Sequence, residues 1–221
     1  MYRCFIGWDG RESVASYVAA HSLTRRSSVP VSVTLLRNSY LPMWRERDAK
    51  QSTDFAYSRF LVPYLCDYTG WALWMDGDVL VRADIKELFN LANPKYAAQV
   101  VKHNYTPRTE TKFLGQAQST YPKKNWSSVM LLNCSRWRDV TPKAVNQLPG
   151  SSLHQFALFA DQEIGELPQE WNHLVGEYEP RGDAKIAHFT LGTPCFPEYG
   201  ECEYATEWRR ELNDMLTPEA A

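Results

Sequence analysis

Trp71-Ala72-Leu73-Trp74-Met75-Asp76-Gly77-Asp78-Val79-Leu80-Val81 is an apolar run broken by two aspartates with one glycine between them. The apolar residues ahead of Asp76, two tryptophans among them, read as a buried strand, which sets Asp76 and Asp78 at its carboxyl end. Open α/β sheets bind their ligands at that end. Residues i and i+2 of an extended segment point to the same side, so the two carboxylates converge on one hard cation or, through it, on a phosphate. Gly77 lets the backbone bend and lets a ligand come close. Asp-Gly-Asp is also ordinary turn chemistry, but a turn does not account for the apolar run resuming at once with Val79-Leu80-Val81.

Strand and helix signals alternate on both sides of this segment, which predicts an α/β fold over an all-α or all-β one. Residues 2–7 read as a first strand ending in Trp8-Asp9-Gly10, and residues 31–36 as a second. Between them Val14, Tyr17, Val18 and His21 share one helical face in residues 12–25. A second helix is expected near 54–66, kinked or shortened by Pro63. After the Asp-Gly-Asp strand come a short helix at 84–89, strands at 96–101 and 126–133, a helix at 152–160, a strand at 185–189 and a helix at 203–216 whose Tyr204, Trp208, Leu212 and Met215 are spaced for docking. The polar stretch 103–124 has little apolar period and reads as a functional loop or lid, with Phe113, Leu114 and Tyr121 packing it down.

A chain of 221 residues suits one domain spanning 1–221 and is long enough to bury a substantial core. A net charge of −2 and a pI near 6.2 argue against the global basic field that recruits nucleic acid. Five cysteines, an odd number without a C-x-x-C pair, indicate neither a disulfide framework nor a zinc ribbon, and point to a reducing cytoplasm. No signal peptide or transmembrane stretch is legible, so the expected protein is soluble.

Further polar groups sit at expected strand ends: Asp9, Asn133, Asp161-Gln162-Glu163, Trp171-Asn172 and Ala187-His188-Phe189-Thr190-Leu191-Gly192. Their order, with Tyr57-Ser58-Arg59-Phe60 ahead of Asp76-Gly77-Asp78, Val129-Met130-Leu131-Leu132-Asn133 after it, and Leu167-Pro168 leading into Trp171-Asn172, resembles the family 8 glycosyltransferases. These are retaining, metal-dependent enzymes of the GT-A fold, with a Rossmann-like, mixed, mostly parallel sheet, and they use nucleotide sugars that are usually UDP-linked. The resemblance spans residues 5–192. It implies that Asp76, Asp78 and His188 hold Mn²⁺ or Mg²⁺ on the donor diphosphate, that Asp9 sits by the uridine or ribose and Arg59 by the sugar or phosphate, that Asn133 and Gly192 line the donor site, and that Asp161 and Gln162 position the transferred sugar. The acceptor would be a carbohydrate, a glycolipid or another small molecule.

Two departures stand out. Where the family often carries a lysine for the diphosphate, this chain has Thr193-Pro194-Cys195-Phe196, leaving Lys102, Lys112 and Arg181 as candidates, and Glu163 stands for the usual last aspartate of its block. A cation held by Asp76, Asp78 and His188 would neutralise the departing phosphate. The same Asp-x-Asp-x-Leu pattern also fits a haloacid-dehalogenase-like phosphatase, with Asp76 phosphorylated and Asp78 as acid/base; that motif normally lies near the chain start, and 75 residues precede it here. A third reading is a catalytically silent nucleotide-sugar binder. Trp126, Trp137, Trp171, Tyr105 and Tyr121 offer sugar-stacking faces or, as aromatics of an α/β domain more commonly do, core.

Overall fold

The computed structural model describes residues 1–47, 51–112, 115–118 and 120–217. In chain order the elements are β1 (Tyr2–Gly7), α1 (Ser13–Arg26), β2 (Val31–Leu36), α2 (Val62–Leu65), β3 (Trp71–Met75), β4 (Val79–Val81), α3 (Ile85–Phe89), β5 (Ala98–Val100), β6 (Thr111–Lys112), β7 (Gln116–Ala117), β8 (Val129–Asn133), α4 (Pro142–Gln147), α5 (Gly150–His154), β9 (Ile164–Glu166), β10 (His173–Leu174), β11 (Ile186–His188) and α6 (Ala205–Leu216). Among the described residues the main sheet has the order β2-β1-β3-β8-β5-β9. β1 pairs in parallel with β2 and β3, and β5 with β9, while β8 runs antiparallel between β3 and β5. The fold is therefore the mixed, mostly parallel α/β sheet expected.

The apolar pattern explains why β3 is central. Successive strand residues face opposite sides, and here both sides are covered: Ala72 and Trp74 pack with Phe5, Phe55 and Met130, whereas Leu73 and Met75 pack with Ile6, Leu131 and Trp171. Burying a large apolar side chain is worth roughly 1.5–3 kcal/mol. The strand is thus fixed by its own hydrophobes, and Asp76 and Asp78 go where it delivers them.

At Gly77 the chain leaves the main sheet. β4 joins a second, three-stranded sheet of order β10-β11-β4, with Val79 opposite His188 in antiparallel register. A Cβ on Gly77 would lie 2.4 Å from the Gly7 carbonyl oxygen and 2.5 Å from Ser16 Oγ, so the crossing over the end of β1 leaves room for hydrogen alone.

Several elements are shorter than the apolar periodicity suggests. Residues 54–61 form 3-10 turns before the single turn of α2, where Pro63 occupies the second helical position. The expected 152–160 helix stops as α5 at His154, and Phe156 adopts φ 56° with its ring buried against Trp137. The C-terminal helix starts at Ala205, and it docks on α1 through Glu211, which meets Arg26 at 2.8 Å and His21 at 2.6 Å. Within 103–124 the described residues form the β6–β7 hairpin; Phe113 and Leu114, expected to pack that stretch, lie outside the described residues.

Candidate active site

Asp76 follows β3, Asp78 precedes β4 and His188 ends β11, and each offers a ligand atom within 4.8 Å of the others. The antiparallel β4–β11 pairing is what brings a histidine more than a hundred residues away beside Asp78. Asp78 Oδ1 is 3.3 Å from His188 Nε2, yet it is buried and accepts no hydrogen bond. A buried carboxylate oxygen in that state is costly unless something positive receives it. Asp76 Oδ1 is engaged by Arg59 Nη2 at 3.0 Å and Trp74 Nε1 at 3.1 Å. Burial lifts the Asp76 pKa to about 6, with Asp78 adding to the rise and Arg59 and His188 opposing it. Burial works against a charged His188, but the Asp78 and Asp76 carboxylates prevail and raise its pKa above the ordinary value. Two carboxylates and an imidazole around an unsatisfied oxygen fit Mn²⁺ or Mg²⁺.

Behind His188 runs a buried chain of hydrogen bonds. His188 Nδ1 donates to Asn172 Oδ1 at 3.0 Å, which directs Nε2 toward Asp78. The Asn172 amide nitrogen donates to Ser128 Oγ at 2.8 Å and to His103 Nε2 at 2.9 Å. His103 then donates from Nδ1 to the Tyr178 hydroxyl at 2.9 Å. Burial pushes His103 down to about 3, so it stays neutral and keeps the lone pair that Asn172 requires. Partners of this kind fix the tautomer and orientation of a metal-binding imidazole.

The cluster opens on a cavity of about 520 Å³. Of the residues singled out from sequence, Arg59, Asp76, Asp78 and His188 line it, together with Lys112 and Tyr121. It also recruits Glu12, Ser127, His154, Gln155 and Lys124, none of which the strand-end logic selected. Glu12 follows β1 by a few residues, and the acidic pattern Asp9…Glu12 was its available signal. Burial, then the charges of Asp78 and Asp9, raise its pKa well above the usual carboxylate range. Arg59 Nη1 donates to the Ser127 carbonyl at 2.8 Å, and Ser127 Oγ lies 2.9 Å from His154 Nδ1. Burial holds His154 down at about 3.

Five expected site residues are not brought to the cavity wall. Asp9 is buried and spent on structure: it accepts from Arg11 and from the Asp54 amide at 2.9 Å, tying down the 51–54 segment that does line the cavity. Asn133 pairs with Trp71, at the opposite end of β3 from Asp76, and is bonded to Tyr96 and Ser135. The expectation assumed that its strand ended where β3 ends, but β8 is antiparallel and presents its amino end, Ser127-Ser128, to the site. Asp161 and Gln162 are exposed on the turn entering β9, again at the amino ends of the parallel strands, and Asp161 pairs with Lys123 at 2.7 Å. Gly192 packs under the Tyr199 ring, where a Cβ would come within 2.1 Å, and Thr190 takes the lining position. Arg181 is engaged by Asp183, and Lys102 lies over the Trp126 ring. Trp137 and Trp171 are core, whereas Tyr105 bonds the Asn125 amide.

The topology and this site define a glycosyltransferase with a GT-A fold. The family model for glycosyl transferase family 8 matches residues 20–188, and the chain belongs to that family. It is 44% identical over 224 residues to Protein CDI of Arabidopsis thaliana, covering 96% of this chain and 86% of that protein. Among solved structures it resembles the galactosyltransferase LgtC in complex with donor and acceptor sugar analogues (TM-score 0.62, 14% identity, 98% of each chain covered). It also resembles the glycosyltransferase GlyE of Streptococcus pneumoniae TIGR4 (TM-score 0.61, 14% identity), covering 98% of this chain and 63% of GlyE. Mouse xyloside xylosyltransferase 1 is a further likeness (TM-score 0.55, 14% identity, 87% and 99% covered). At such identities these structures speak for the fold. Family membership decides for a transferase and against the phosphatase alternative. Among the described residues no helix is long and apolar enough to cross a membrane.

Proposed function

We propose that the protein transfers a sugar from a nucleotide-sugar donor, UDP-linked, to a small carbohydrate, glycolipid or related acceptor, with retention of configuration and with Mn²⁺ or Mg²⁺ bound by Asp76, Asp78 and His188. The observation that carries this reading is the buried, unsatisfied Asp78 Oδ1 facing His188 Nε2 on the wall of a 520 Å³ cavity. When bound, the ion supplies positive charge to the departing diphosphate. Arg59 keeps Asp76 in place, and Asn172 keeps His188 turned toward Asp78.

Retention by double displacement needs an ionised carboxylate against the sugar, about 5 Å from its partner acid. Among the described residues the acids lining the cavity are Glu12, Asp76 and Asp78. The two aspartates are assigned to the cation, and burial, with the charges of Asp78 and Asp9, raises the pKa of Glu12 and so disfavours its ionised form. This supports front-face attack, in which the departing phosphate takes the acceptor's proton and no glycosyl-enzyme forms. With Asp161 and Gln162 outside the cavity, we assign the seating of the sugar to the Gln155 amide and to His154, whose neutral ring is steadied by Ser127. The five free thiols suit a reducing compartment, and we place the protein in the cytoplasm.

Incubation of the purified protein with a panel of nucleotide sugars, acceptor sugars and Mn²⁺ tests the reading. Release of nucleoside diphosphate that is abolished by a chelator and by Asp78→Ala is expected. Metal-independent release would overturn the metal assignment, and donor binding without turnover across the panel would favour the silent binder.

A further inference from the structure

From His188 to Phe196 the chain carries no lysine or arginine, so the last strand and its loop bring no cation to the leaving group. Among the described residues the lysines and arginines lining the cavity are Arg59, Lys112 and Lys124. Arg59 is committed to Asp76 and to the Ser127 carbonyl. Lys124 reaches Gln118 Oε1 at 2.7 Å and neighbours Lys112. Lys112 stands on β6 and lines the same cavity as Asp76, Asp78 and His188. Burial lowers the pKa of both lysines, that of Lys124 to about 8.

Charge bookkeeping identifies what is missing. A divalent ion offsets Asp76 and Asp78, and the cavity then keeps the positive charge of Arg59, Lys112 and Lys124. A sugar-linked diphosphate is a dianion, and it gains one further negative charge as its bond to the sugar breaks. Cations matched to that later charge bind the transition state better than the substrate.

We propose that Lys112, flanked by Lys124, is the protein's diphosphate-binding cation, carried by the β6–β7 hairpin to the cavity wall that Asp76, Asp78 and His188 also line. The inference rests on the nucleotide-sugar reading above. As the sugar C1–O bond breaks, its electron pair stays on the terminal phosphate oxygen. The acceptor oxygen bonds to C1, its proton passes to the phosphate, and Lys112 donates hydrogen bonds throughout while keeping its own protons.

Calorimetric titration of the full chain with UDP, GDP, ADP and CDP in Mn²⁺, alongside the parent nucleosides, separates this proposal from the one beneath it. Lys112→Met, which keeps the length of the stem, is expected to weaken nucleoside diphosphate binding about tenfold, the loss of one charge-assisted hydrogen bond. Lys112→Arg should stay within about threefold of the wild type, and binding of the free nucleoside should not change. Undiminished diphosphate binding by Lys112→Met overturns the role of Lys112 and leaves the donor reading standing. An equal loss for nucleoside and diphosphate overturns it too, since that marks a merely structural residue. If the wild type binds none of the diphosphates, both proposals fall.

Discussion

The two ends of the central sheet carry similar residues and do different work. At the carboxyl ends of β1, β3 and β5 lie the buried Glu12, Asp76 and His103 and the half-buried Asp78, with His103 linked to Asp78 through Asn172 and His188. At the amino ends of β3 and β9 lie Asn133, Asp161 and Glu163, bonded to Tyr96, Lys123 and Arg136 and not among the residues that line the cavity. By sequence the second set is as polar and as well placed beside apolar runs as the first. What separates them is desolvation: at the first end it raises the pKa of Asp76 and Glu12, whereas at the second the exposed Asp161 and the half-exposed Glu163 are held below the ordinary range by their basic and backbone partners. Perturbation by burial beside like charges marks a working site; perturbation by a single surface ion pair does not.

Substitution at the two ends is the most direct way to break the comparison. Asp78→Ala should lower metal-dependent donor turnover about a thousandfold, because the developing charge loses its electrostatic partner. If turnover survives, the carboxyl end is not the centre. One step back, Asn172→Ala leaves all three ligands in place but frees the His188 ring, and should weaken Mn²⁺ binding about ten- to a hundredfold in a calorimetric titration. An unchanged affinity would reduce the His188–Asn172–His103 chain to core packing.

pH sharpens the same contrast. Asp76, raised to about 6, and His188, raised above its ordinary value, both hold protons more tightly folded than unfolded. In the metal-free protein they favour folding at low pH, and that contribution fades as pH climbs through their folded values. Metal must displace those protons, so its effect has the opposite sign. The rise in thermal midpoint produced by Mn²⁺ should grow between pH 5.5 and 7.5, with apparent affinity strengthening by up to about tenfold per unit in that window. A Mn²⁺ shift that is flat with pH would contradict the buried carboxylate–imidazole site. The smallest effect belongs to the other end: Asp161→Ala, which cuts only an exposed pair with Lys123, should leave turnover within about twofold of the wild type. A larger drop would return Asp161 to the chemistry.

Much of this was legible in the chain. Trp71 to Val81 announces a buried strand with two convergent carboxylates, and the resemblance to family 8 glycosyltransferases singled out His188 as the third member of the cluster. For three of the residues that the structure keeps off the cavity wall, Asn133, Asp161 and Gln162, the placement depends on strand direction. Asn133 ends an apolar run as convincingly as Met75 does, but local sequence does not encode which way β8 runs, and the antiparallel course carries Asn133 away and brings Ser127 and Ser128 in. Asp161-Gln162 precedes its strand instead of following it, and Asp161 stands exposed on Lys123, off the cavity wall. Asp9 reached the right end and was consumed by Arg11 and the Asp54 amide.

By itself, then, the sequence determined the local things: which segments are apolar enough to be strands, where Gly77 must be small, and which side chains can hold a hard cation. Burial of hydrophobic side chains and the period of a strand are properties of neighbours along the chain, and they need nothing else. Tertiary structure alone decided which polar residues meet. The pairing of β4 with β11 set Asp78 against His188, the reversal of β8 chose Ser127 over Asn133, and the β6–β7 hairpin carried Lys112 to the wall of the same cavity. Charges act through space, and the distances between residues far apart in the chain exist only once the sheet has formed.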